Sequence, residues 1–402
     1  MSDVPLARRS PDATSPGRFR LRHLAVRDFR NLERLDLDLP PDGIAVVGEN
    51  GHGKTNLLEA VYYLQLLRSV RGARDQDLVR FGAAGFHVAA RADAGDGTPR
   101  AVAVGFERAS KRKRARRDGA EPPRLSDALG ALPSVIFSPG DVQLVAGAPS
   151  ERRRYLDVAL ALTSRRYLVA LQHYRAALAR RNAALRDAAR SGASDARVAV
   201  WEPALAEHGA LLWAERVAWV ERSAPEFAAL CAAIGERGAA RMRYASALVA
   251  PAGADVPRRA ELLAEALHAR RALDLRRGVT HAGPHRDDLD LQLDGRDLRS
   301  FGSAGQQRTA AIALRMLEAA TLRDAAGAAP LFLLDDPFAE LDARRAHRIL
   351  ELLGAEGLGQ TLLVVPRAVD IPPELTRLER WDIRDGVLSR GAGRGTPAAD
   401  GE

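Results

Sequence analysis

A glycine-rich segment carries the residue types that bind phosphate. Residues 46–60 read VVGENGHGKTNLLEA, which contains the spacing G-x-x-x-x-G-K-T between an apolar run and a helical pattern. The glycines let backbone N–H groups point at a phosphate, and the helix adds the positive end of its dipole. The lysine then reaches the β- and γ-phosphates, and the threonine hydroxyl binds Mg²⁺. The candidate nucleotide-binding residues here are Gly48, Glu49, Asn50, Gly51, His52, Gly53, Lys54 and Thr55.

Two adjacent carboxylates follow an apolar run later in the chain. The run LFLL at residues 331–334 ends in Asp335 and Asp336. A carboxylate at the end of a buried strand can hold Mg²⁺, and its neighbour can orient or deprotonate the attacking water. Acidic pairs are also common in turns, so the pair is informative mainly together with Lys54. We predict that Asp335 is a metal ligand with Thr55, and that Asp336 and Lys54 are catalytic.

A third motif precedes these carboxylates. Residues 301–309 read FGSAGQQRT and lead into a helical pattern, so Ser303 is placed to cap a helix and present N–H groups to an anion. An ordinary capped helix explains the segment alone. ATP-binding-cassette ATPases, however, place S-x-G-Q at this distance before the carboxylates, against the γ-phosphate of a partner subunit, and residues 339–342 (AELD) match their D-loop. The candidate residues are Ser303, Gly305, Gln306 and Asp342.

Composition restricts the class of protein. The 402 residues exceed one typical core, so two or three domains are expected. The net charge of +8 favours polyanionic partners. A single cysteine, Cys231, excludes an internal disulfide. No apolar run reaches the length of a membrane span, and the first residues lack the apolar core of a signal peptide. These features predict a cytoplasmic protein that is not in a membrane.

The distribution of patterns predicts a divided domain. Strand-like segments such as FRLRHLAVRDF and GIAVVG occupy the first part of the chain, and PLFLLDD and QTLLVV occupy the last. Between them, apolar residues recur at helical spacing. These positions are Tyr167, Leu171, Tyr174, Leu178 and Leu185, followed by Leu205, Leu212 and Trp219. We predict an α/β domain from residues 18–114 and 276–390, a helical lobe at 115–275, and disordered tails at 1–17 and 391–402.

Six segments together resemble one family, RecF, the bacterial recombination-repair ATPase related to Rad50 and SMC heads. The resemblance covers residues 20 to 370, and the third and fourth segments are particular to RecF. The segments are DFRNL, GENGHGKTNLLEAVYYL, FSPGDVQLVAGAPSERRRYLD, THAGPHRDDL, FGSAGQQRT and LLDDPFAELD. The fold that it implies is α/β, an ABC/SMC-type ATPase head with a mixed sheet and a P-loop, plus an inserted, mostly helical lobe.

The resemblance also implies a function. RecF-like proteins are expected to bind ATP and Mg²⁺, to form an ATP-dependent homodimer, to hydrolyse ATP slowly and to bind duplex DNA. They are expected to work at gaps and stalled forks with RecO and RecR and to promote RecA loading. In related heads an arginine after the first strand meets the nucleotide or the signature, which suggests Arg30 and Asn31. The preferred DNA contacts are Arg152, Arg153 and Arg154, which lie within a RecF-like segment.

Two departures from the family pattern bear on hydrolysis. The segment after Gln360 reads TLLVVPRAV, where family members carry threonines and related heads a histidine that senses the γ-phosphate. Asp336 also stands where cassette ATPases have a glutamate. Both departures predict weaker hydrolysis.

Other polar segments have competing interpretations. Residues 151–190 contain ten arginines and three acidic residues, which indicates either a DNA-binding groove or a solvated helix face. KRKRARR at 111–117 is predicted to be a charged hairpin, with DNA contact as a secondary role. His281, His285, Asp287 and Asp288 resemble a metal cluster, but the intervening glycine and proline favour a phosphate-side or structural turn.

Three alternatives to a DNA clamp remain open at this point. A transporter ATPase subunit shares the phosphate motifs but not the arginine-rich lobe. A small-molecule P-loop kinase needs an acceptor pocket and no signature from a second subunit. A non-enzymatic protein could bind ATP and DNA with negligible turnover.

Overall fold

The structure is a computed structural model that describes residues 17–191, 195–338, 341–355 and 359–391. The predicted tails fall almost entirely on residues 1–16 and 392–402, which lie outside the described residues. Gly17, assigned to the first tail, belongs instead to a short strand that pairs with Ala328. Gly391, assigned to the second, donates its backbone N–H to the Arg380 carbonyl at 3.0 Å.

The strands of the described residues are numbered in chain order. They are β1 (Gly17–Arg18), β2 (Arg20–Phe29), β3 (Leu32–Asp38), β4 (Gly43–Val47), β5 (Gly85–Asp93), β6 (Pro99–Glu107), β7 (Arg112–Arg117), β8 (Ser134–Phe137), β9 (Ala240–Ala245), β10 (Asp288–Leu293), β11 (Arg296–Asp297), β12 (Ala328–Ala329), β13 (Leu331–Asp335), β14 (Thr361–Val365), β15 (Glu379–Arg384) and β16 (Val387–Arg390).

The helices are numbered in the same way. They are α1 (Lys54–Leu66), α2 (Asp75–Leu78), α3 (Gln143–Ala146), α4 (Pro149–Thr163), α5 (Arg165–Ser191), α6 (Ala196–Ala199), α7 (Glu202–Ile234), α8 (Val256–Arg277), α9 (Leu298–Phe301), α10 (Ala304–Ala326) and α11 (Ala343–Ala355). Short 3₁₀ turns occupy Leu125–Ala128, Pro139–Val142, Ala368–Asp370 and Pro373–Leu375.

The chain divides into two compact units. One is formed by Met1–Pro139 with Glu318–Glu402, and the other by Gly140–Leu317. These bounds differ from the predicted lobe at 115–275 for two reasons. Residues after 115 complete the sheets of the first unit, because β7 pairs with β6 and β8 pairs with β13. Residues after 275 remain in the second unit, because β10 pairs with β9.

The first unit contains a mixed six-stranded sheet in the order β16-β15-β4-β14-β13-β8. Five of its strands run parallel, and only β16 is antiparallel. Strands β4 and β14 are buried along their whole length, as expected for central parallel strands covered on both faces. This explains why the sequence there is continuously apolar instead of alternating.

A five-stranded antiparallel sheet with the order β3-β2-β5-β6-β7 completes this unit. Its strands alternate between buried apolar and exposed residues, which is typical of a sheet with one solvated face. Helix α1 contacts strands of both sheets and is buried almost throughout, so it forms the core between them. The helix that follows the glycine loop is thus fixed by two sheets.

The second unit is mostly helical. Helices α5, α7 and α8 pack on one another, and α7 also contacts β9. Most of the predicted stripe is buried: Tyr167, Leu171, Tyr174 and Leu185 in α5, with Leu205, Leu212 and Trp219 in α7. The periodicity therefore predicted the packing faces correctly. The unit also contains the small antiparallel sheet β11-β10-β9.

Candidate functional site

The glycine loop connects β4 to α1 and is held by its neighbours on two sides. The Gly48 N–H donates to the Val365 carbonyl at 3.3 Å, which ties the loop to strand β14. Gly53 has a φ of +104°, and a Cβ there would lie 2.7 Å from the Asn31 side-chain oxygen. A glycine is therefore required at this position both by the backbone and by the close approach of Asn31. Asn31 is anchored in turn by the Asn56 side-chain amide, which donates to it at 2.8 Å.

Lys54 is the first residue of α1, and its side chain lies against the loop. The Nζ ammonium donates to the carbonyl oxygens of Gly48 at 2.5 Å and Glu49 at 2.8 Å. Burial lowers the pKa of Lys54, while the charges of Asp335 and Asp336 oppose the shift. The same cation thus faces the loop and the carboxylate pair, which is where a lysine must lie to contact bound phosphates.

Thr55 and Asp335 meet although they are distant in sequence. The Thr55 hydroxyl donates toward Asp335 Oδ1 at 3.1 Å and Oδ2 at 2.9 Å. Burial raises the pKa of Asp335, and the Thr55 hydrogen bond and the charge of Arg71 oppose that shift. A hydroxyl and a carboxylate are ligands that suit Mg²⁺. No group of three or more His, Cys, Asp or Glu in the described part of the chain could hold a metal alone, so nucleotide phosphates would have to supply further oxygens.

Asp336 occupies a strained position at the end of β13. Its φ is +44°, in the left-handed region that non-glycine residues seldom adopt. Its backbone N–H donates to the Val364 carbonyl at 3.0 Å, which holds the turn against the neighbouring strand. Backbone strain of this kind costs about 1–3 kcal/mol and is found most often at functional sites. Adjacent side chains in one strand point to opposite faces, and the left-handed turn at Asp336 breaks that alternation.

Arg30 is held by a buried carboxylate that the sequence analysis missed. Its guanidinium donates to Glu59 Oε2 at 3.0 Å and Oε1 at 3.3 Å, and the Glu59 side chain is fully buried. The Ser69 hydroxyl donates to the same carboxylate at 2.5 Å. Arg30 therefore has a structural partner, and its contact with nucleotide stays a prediction. Glu59 could have been suspected because it is the charged residue within an otherwise buried stretch of α1.

Arg71 and Asp385 reach the glycine-loop region from irregular segments. Arg71 donates to the Asn56 side-chain oxygen at 3.3 Å, and its charge acts on Asp335. His52 Nδ1 lies 3.0 Å from Asp385 Oδ1, in the β15–β16 turn. Arg71 was not predicted, because it follows α1 in a segment without periodicity. The sequence alone does not indicate where such a segment lies in the fold.

Ser303 caps helix α10, as predicted. The Gln306 N–H donates to the Ser303 hydroxyl at 3.3 Å, and the Ser303 N–H donates to Gln306 Oε1 at 2.9 Å. This reciprocal pair is a capping box, and it leaves the N–H groups of Ala304 and Gly305 for another acceptor. Ser303 is exposed. The helix end is therefore both rigid and accessible.

Asp342 has a similar capping role in α11. Its carboxylate accepts from the Arg345 backbone N–H at 2.9 Å. Residues 339 and 340 of the predicted D-loop lie outside the described residues. A nucleotide contact from Asp342 remains a prediction.

Arg152, which we predicted to contact DNA, is buried and paired with protein groups. Its guanidinium donates to both Asp288 oxygens at 2.8 Å and to the Val145 and Gly147 carbonyls, and its side chain is 5% exposed. A cation that is buried and paired in this way is not available to phosphate. The neighbouring Arg153 donates to the Asp287 carbonyl at 2.8 Å and is partly buried.

The His and Asp residues near 281–288 are dispersed among separate partners. His281 lies 2.7 Å from Asp274, and His285 Nδ1 lies 2.6 Å from the Tyr174 hydroxyl. Asp287 accepts from the Tyr244 and Ser246 hydroxyls. Burial lowers the pKa of His285 to about 4, which keeps it neutral at physiological pH. These side chains therefore have structural partners within the helical unit, and a phosphate-side role for the segment stays a prediction.

The segment after Gln360, which departs from the family pattern, ends its strand in apolar residues. Strand β14 ends at Val365, which is 1% exposed and accepts the Gly48 N–H. Pro366 follows and has no N–H to donate. Arg367 beyond it pairs with Asp370 at 2.8 Å. The sequence departure is thus located next to the glycine loop.

The glycine loop between β4 and α1 and the carboxylates at the end of β13, on a mostly parallel sheet, are typical of an ATPase head of the ABC/SMC class. Residues 20–368 match the family described as the RecF/RecN/SMC N-terminal domain. Curated relatives and solved structures agree. The chain belongs to the RecF family.

The curated relatives span nearly the whole chain. The DNA replication and repair protein RecF of Chloroflexus aggregans is 37% identical over 395 residues, covering 92% of this chain and all of that protein. The RecF of Frankia alni is 40% identical over 367 residues, covering 89% of this chain and 96% of that protein. The agreement includes the helical unit, which argues against a transporter ATPase or a small kinase.

Solved structures give the same result. The recombination mediator protein RecF-ATP in the RecFOR pathway aligns with a TM-score of 0.86 at 27% identity, covering 96% of this chain and all of that chain. An Smc head domain from Pyrococcus furiosus aligns with a TM-score of 0.52 at 17% identity, which supports the fold only. The predicted fold class and family are confirmed. No helix in the described ranges is long and apolar enough to span a membrane.

Proposed function

We propose that this protein is a cytoplasmic, ATP-dependent DNA clamp. Two copies close around duplex DNA near gaps or stalled forks when ATP is bound, and slow, DNA-dependent hydrolysis reopens them. With RecO and RecR, the closed dimer promotes RecA loading. The observation that carries the proposal is the convergence of Lys54, Thr55 and Asp335 at the glycine loop.

Each residue of the loop site has a proposed role. Lys54 would hold the β- and γ-phosphates, and Thr55 with Asp335 would hold Mg²⁺, which supplies charge neutralisation at the phosphates. Asp336 would orient or deprotonate the attacking water. The carbonyls that Lys54 now contacts are weaker partners than phosphate oxygens, so the ammonium is free to transfer to the nucleotide.

Dimerisation is proposed to depend on the capped end of α10. Ser303 and the N–H groups near Gly305 would contact the γ-phosphate bound by the other copy, with Gln306 keeping the cap rigid. A ligand shifts an equilibrium only by its differential affinity for the two states. These contacts from the second copy, together with Asp342, would supply that difference. Arg30 and Asn31 would support the loop from its own copy.

The proposal is tested by sedimentation velocity with ATP and a gapped duplex, together with phosphate release. We expect ATP-dependent dimers that bind DNA, and loss of both in Lys54→Ala and Ser303→Arg. The matched control for the added arginine is Ser389→Arg on the exposed edge strand β16. Ser389→Arg should behave as wild type.

Two outcomes would contradict the proposal. A monomer with full ATPase activity would exclude the signature contact from a second copy. A dimer that ignores duplex DNA would exclude the clamp.

A second candidate function follows from Val365 and Pro366. Because neither Val365 nor Pro366 has a polar side chain, the protein would on this alternative bind ATP and DNA with negligible turnover. Phosphate release decides between the two, because a passive binder would dimerise with ATP and show no DNA-stimulated release.

A further inference from the structure

One face of the five-stranded antiparallel sheet carries a row of basic side chains that spans all five strands. Directly opposite residues along the register are Arg34 on β3, Arg27 on β2, His87 on β5, Gly105 on β6 and Arg114 on β7. Opposed residues in an antiparallel sheet point to the same face. Neighbouring strands are about 4.8 Å apart, so the row is about 19 Å long.

The next row on this face adds one more arginine and a smooth floor. Arg116 on β7 stands opposite Ala103, which pairs with Ala89 and then with Ala25, and the row ends on β3 at the exposed carboxylate of Asp36. The small side chains leave the sheet surface flat beside the arginines. We call Arg27, Arg34, Arg114 and Arg116, with His87, the basic sheet face.

Strand period explains which residues of the KRKRARR segment are available. Lys113 and Arg117 point to the opposite side of β7: Lys113 lies 2.7 Å from Asp75, and Arg117 donates to the Asp127 carbonyl at 3.2 Å. Ala115 between them is buried. Side chains along β7 therefore alternate between those that contact the protein and those that are exposed to solvent.

The arginines of the basic sheet face have no carboxylate partner among the described residues, and all four are exposed. Arg112 is left out of the set, because Glu107 stands opposite it on β6. Asp36 follows Arg34 on this face of β3, and Asp36 and Asp38 lie 3.3 Å and 2.9 Å from the His23 ring, so the β3 end of the face beyond Arg34 is acidic. Burial and the charges of Arg27 and Arg116 lower the pKa of His87. Both arginines therefore lie close enough to His87 to disfavour its protonated form.

We propose that the basic sheet face binds the phosphodiester backbone of duplex DNA. This inference rests on the proposed function, because it names a surface for the DNA that the clamp holds. A row of about 19 Å exceeds the width of either groove, about 12 Å and about 6 Å, so it can reach phosphates of both strands. Unpaired arginines over a flat floor suit this sequence-independent contact.

Other partners fit this face less well. Single-stranded nucleic acid is bound through aromatic side chains on which bases stack, whereas this face offers His87 and a His23 ring that is held by Asp36 and Asp38. Protein interfaces are anchored by buried aromatic or aliphatic side chains, whereas the floor here is alanine and glycine. The positive charge and the flat surface of the basic sheet face therefore favour duplex DNA over single-stranded nucleic acid or a protein partner.

The test is equilibrium binding of a fluorescent duplex, with ATP, across a series of salt concentrations. Arg114→Gln with Arg116→Gln should weaken binding roughly 10-fold or more and make the slope of log K against log salt shallower by about 2, one for each lost phosphate contact. The matched control is Arg222→Gln with Arg237→Gln, two exposed arginines outside this sheet. The control should keep the wild-type slope.

The outcomes separate this inference from the proposed function. If wild type binds duplex and the Arg114/Arg116 variant keeps the same affinity and slope, the sheet face is wrong and the clamp stands. Equal losses in the control would also overturn the sheet face, since the effect would then reflect net charge. If wild type does not bind duplex with ATP, the clamp itself fails. ATP-dependent dimerisation without DNA should be intact in the variant, which shows that its nucleotide site is folded.

Discussion

The hydroxyl of Thr55 donates to the carboxylate of Asp335, 2.9 Å away, across 280 positions of sequence. Strand β13 lies next to β14, and β14 lies next to β4, so the carboxylate strand and the glycine loop meet at one edge of the sheet. Ligands of parallel sheets are bound at this carboxyl edge. The contact therefore joins the glycine loop to the carboxylate strand.

Removing the Thr55 hydroxyl should impair Mg²⁺ binding and leave the fold intact. We expect Thr55→Val to lower Mg²⁺-dependent ATP hydrolysis at least roughly 10-fold, because a metal ligand is lost while the side-chain volume is kept. Thr55→Ser restores the hydroxyl and should recover most activity. Phosphate release against Mg²⁺ concentration measures the effect. Equal activity in Thr55→Val would exclude Thr55 as a ligand.

Arg152 should contribute to stability and not to DNA binding. Arg152→Ala leaves Asp288 half-buried without its partner, and loss of one member of a buried pair costs about 3–5 kcal/mol. Urea unfolding should show this loss, and Arg152→Met with Asp288→Leu should recover part of it. The salt slope of duplex binding should be unchanged in the double variant. If the slope of log K against log salt became shallower by about 1, Arg152 would be a DNA-phosphate contact after all.

Acid stability should depend on Asp157 in the helical unit. Burial alone would raise the pKa of this carboxyl, but the Arg216 charge, the Tyr167 hydroxyl and Arg175 outweigh it, so its pKa lies below the usual range. Such a group adds stability above its unfolded pKa, about 3.9, and loses it as pH falls through its folded pKa. Asp157→Asn should therefore cost about 3–5 kcal/mol at pH 7.

The cost of Asp157→Asn should shrink as the solution is acidified below about pH 4, the usual aspartate range. Urea midpoints of wild type and variant across pH measure this convergence. Arg175→Gln is the control: this arginine binds the same carboxylate but its side chain is half exposed, so its effect should be smaller. A difference that is independent of pH would show that Asp157 is not the titrating group.

Local pattern predicted the elements that carry the motifs better than it predicted the bounds of the two units. The glycine loop, the carboxylates and the Ser303 cap depend on residues within a few positions of one another, and all lie on the expected elements. Arg152 could not be assigned from sequence, since its partner Asp288 is 136 positions away. The lobe boundary at 115 was wrong for a similar reason: the pairing of β8 with β13 depends on a strand late in the chain.

Ser303 allows the helix cap to be separated from a contact between two copies. Aspartate caps helices as well as serine does, so Ser303→Asp should leave the unfolding free energy near wild type, while Ser303→Ala should lower it by about 1 kcal/mol. The added carboxylate would nevertheless face the γ-phosphate of the other copy, and like charges repel. We expect Ser303→Asp to bind ATP normally and to remain monomeric in sedimentation, whereas Ser303→Ala keeps partial dimerisation. Dimers of normal affinity in Ser303→Asp would mean that the end of α10 stabilises its own helix and meets no phosphate.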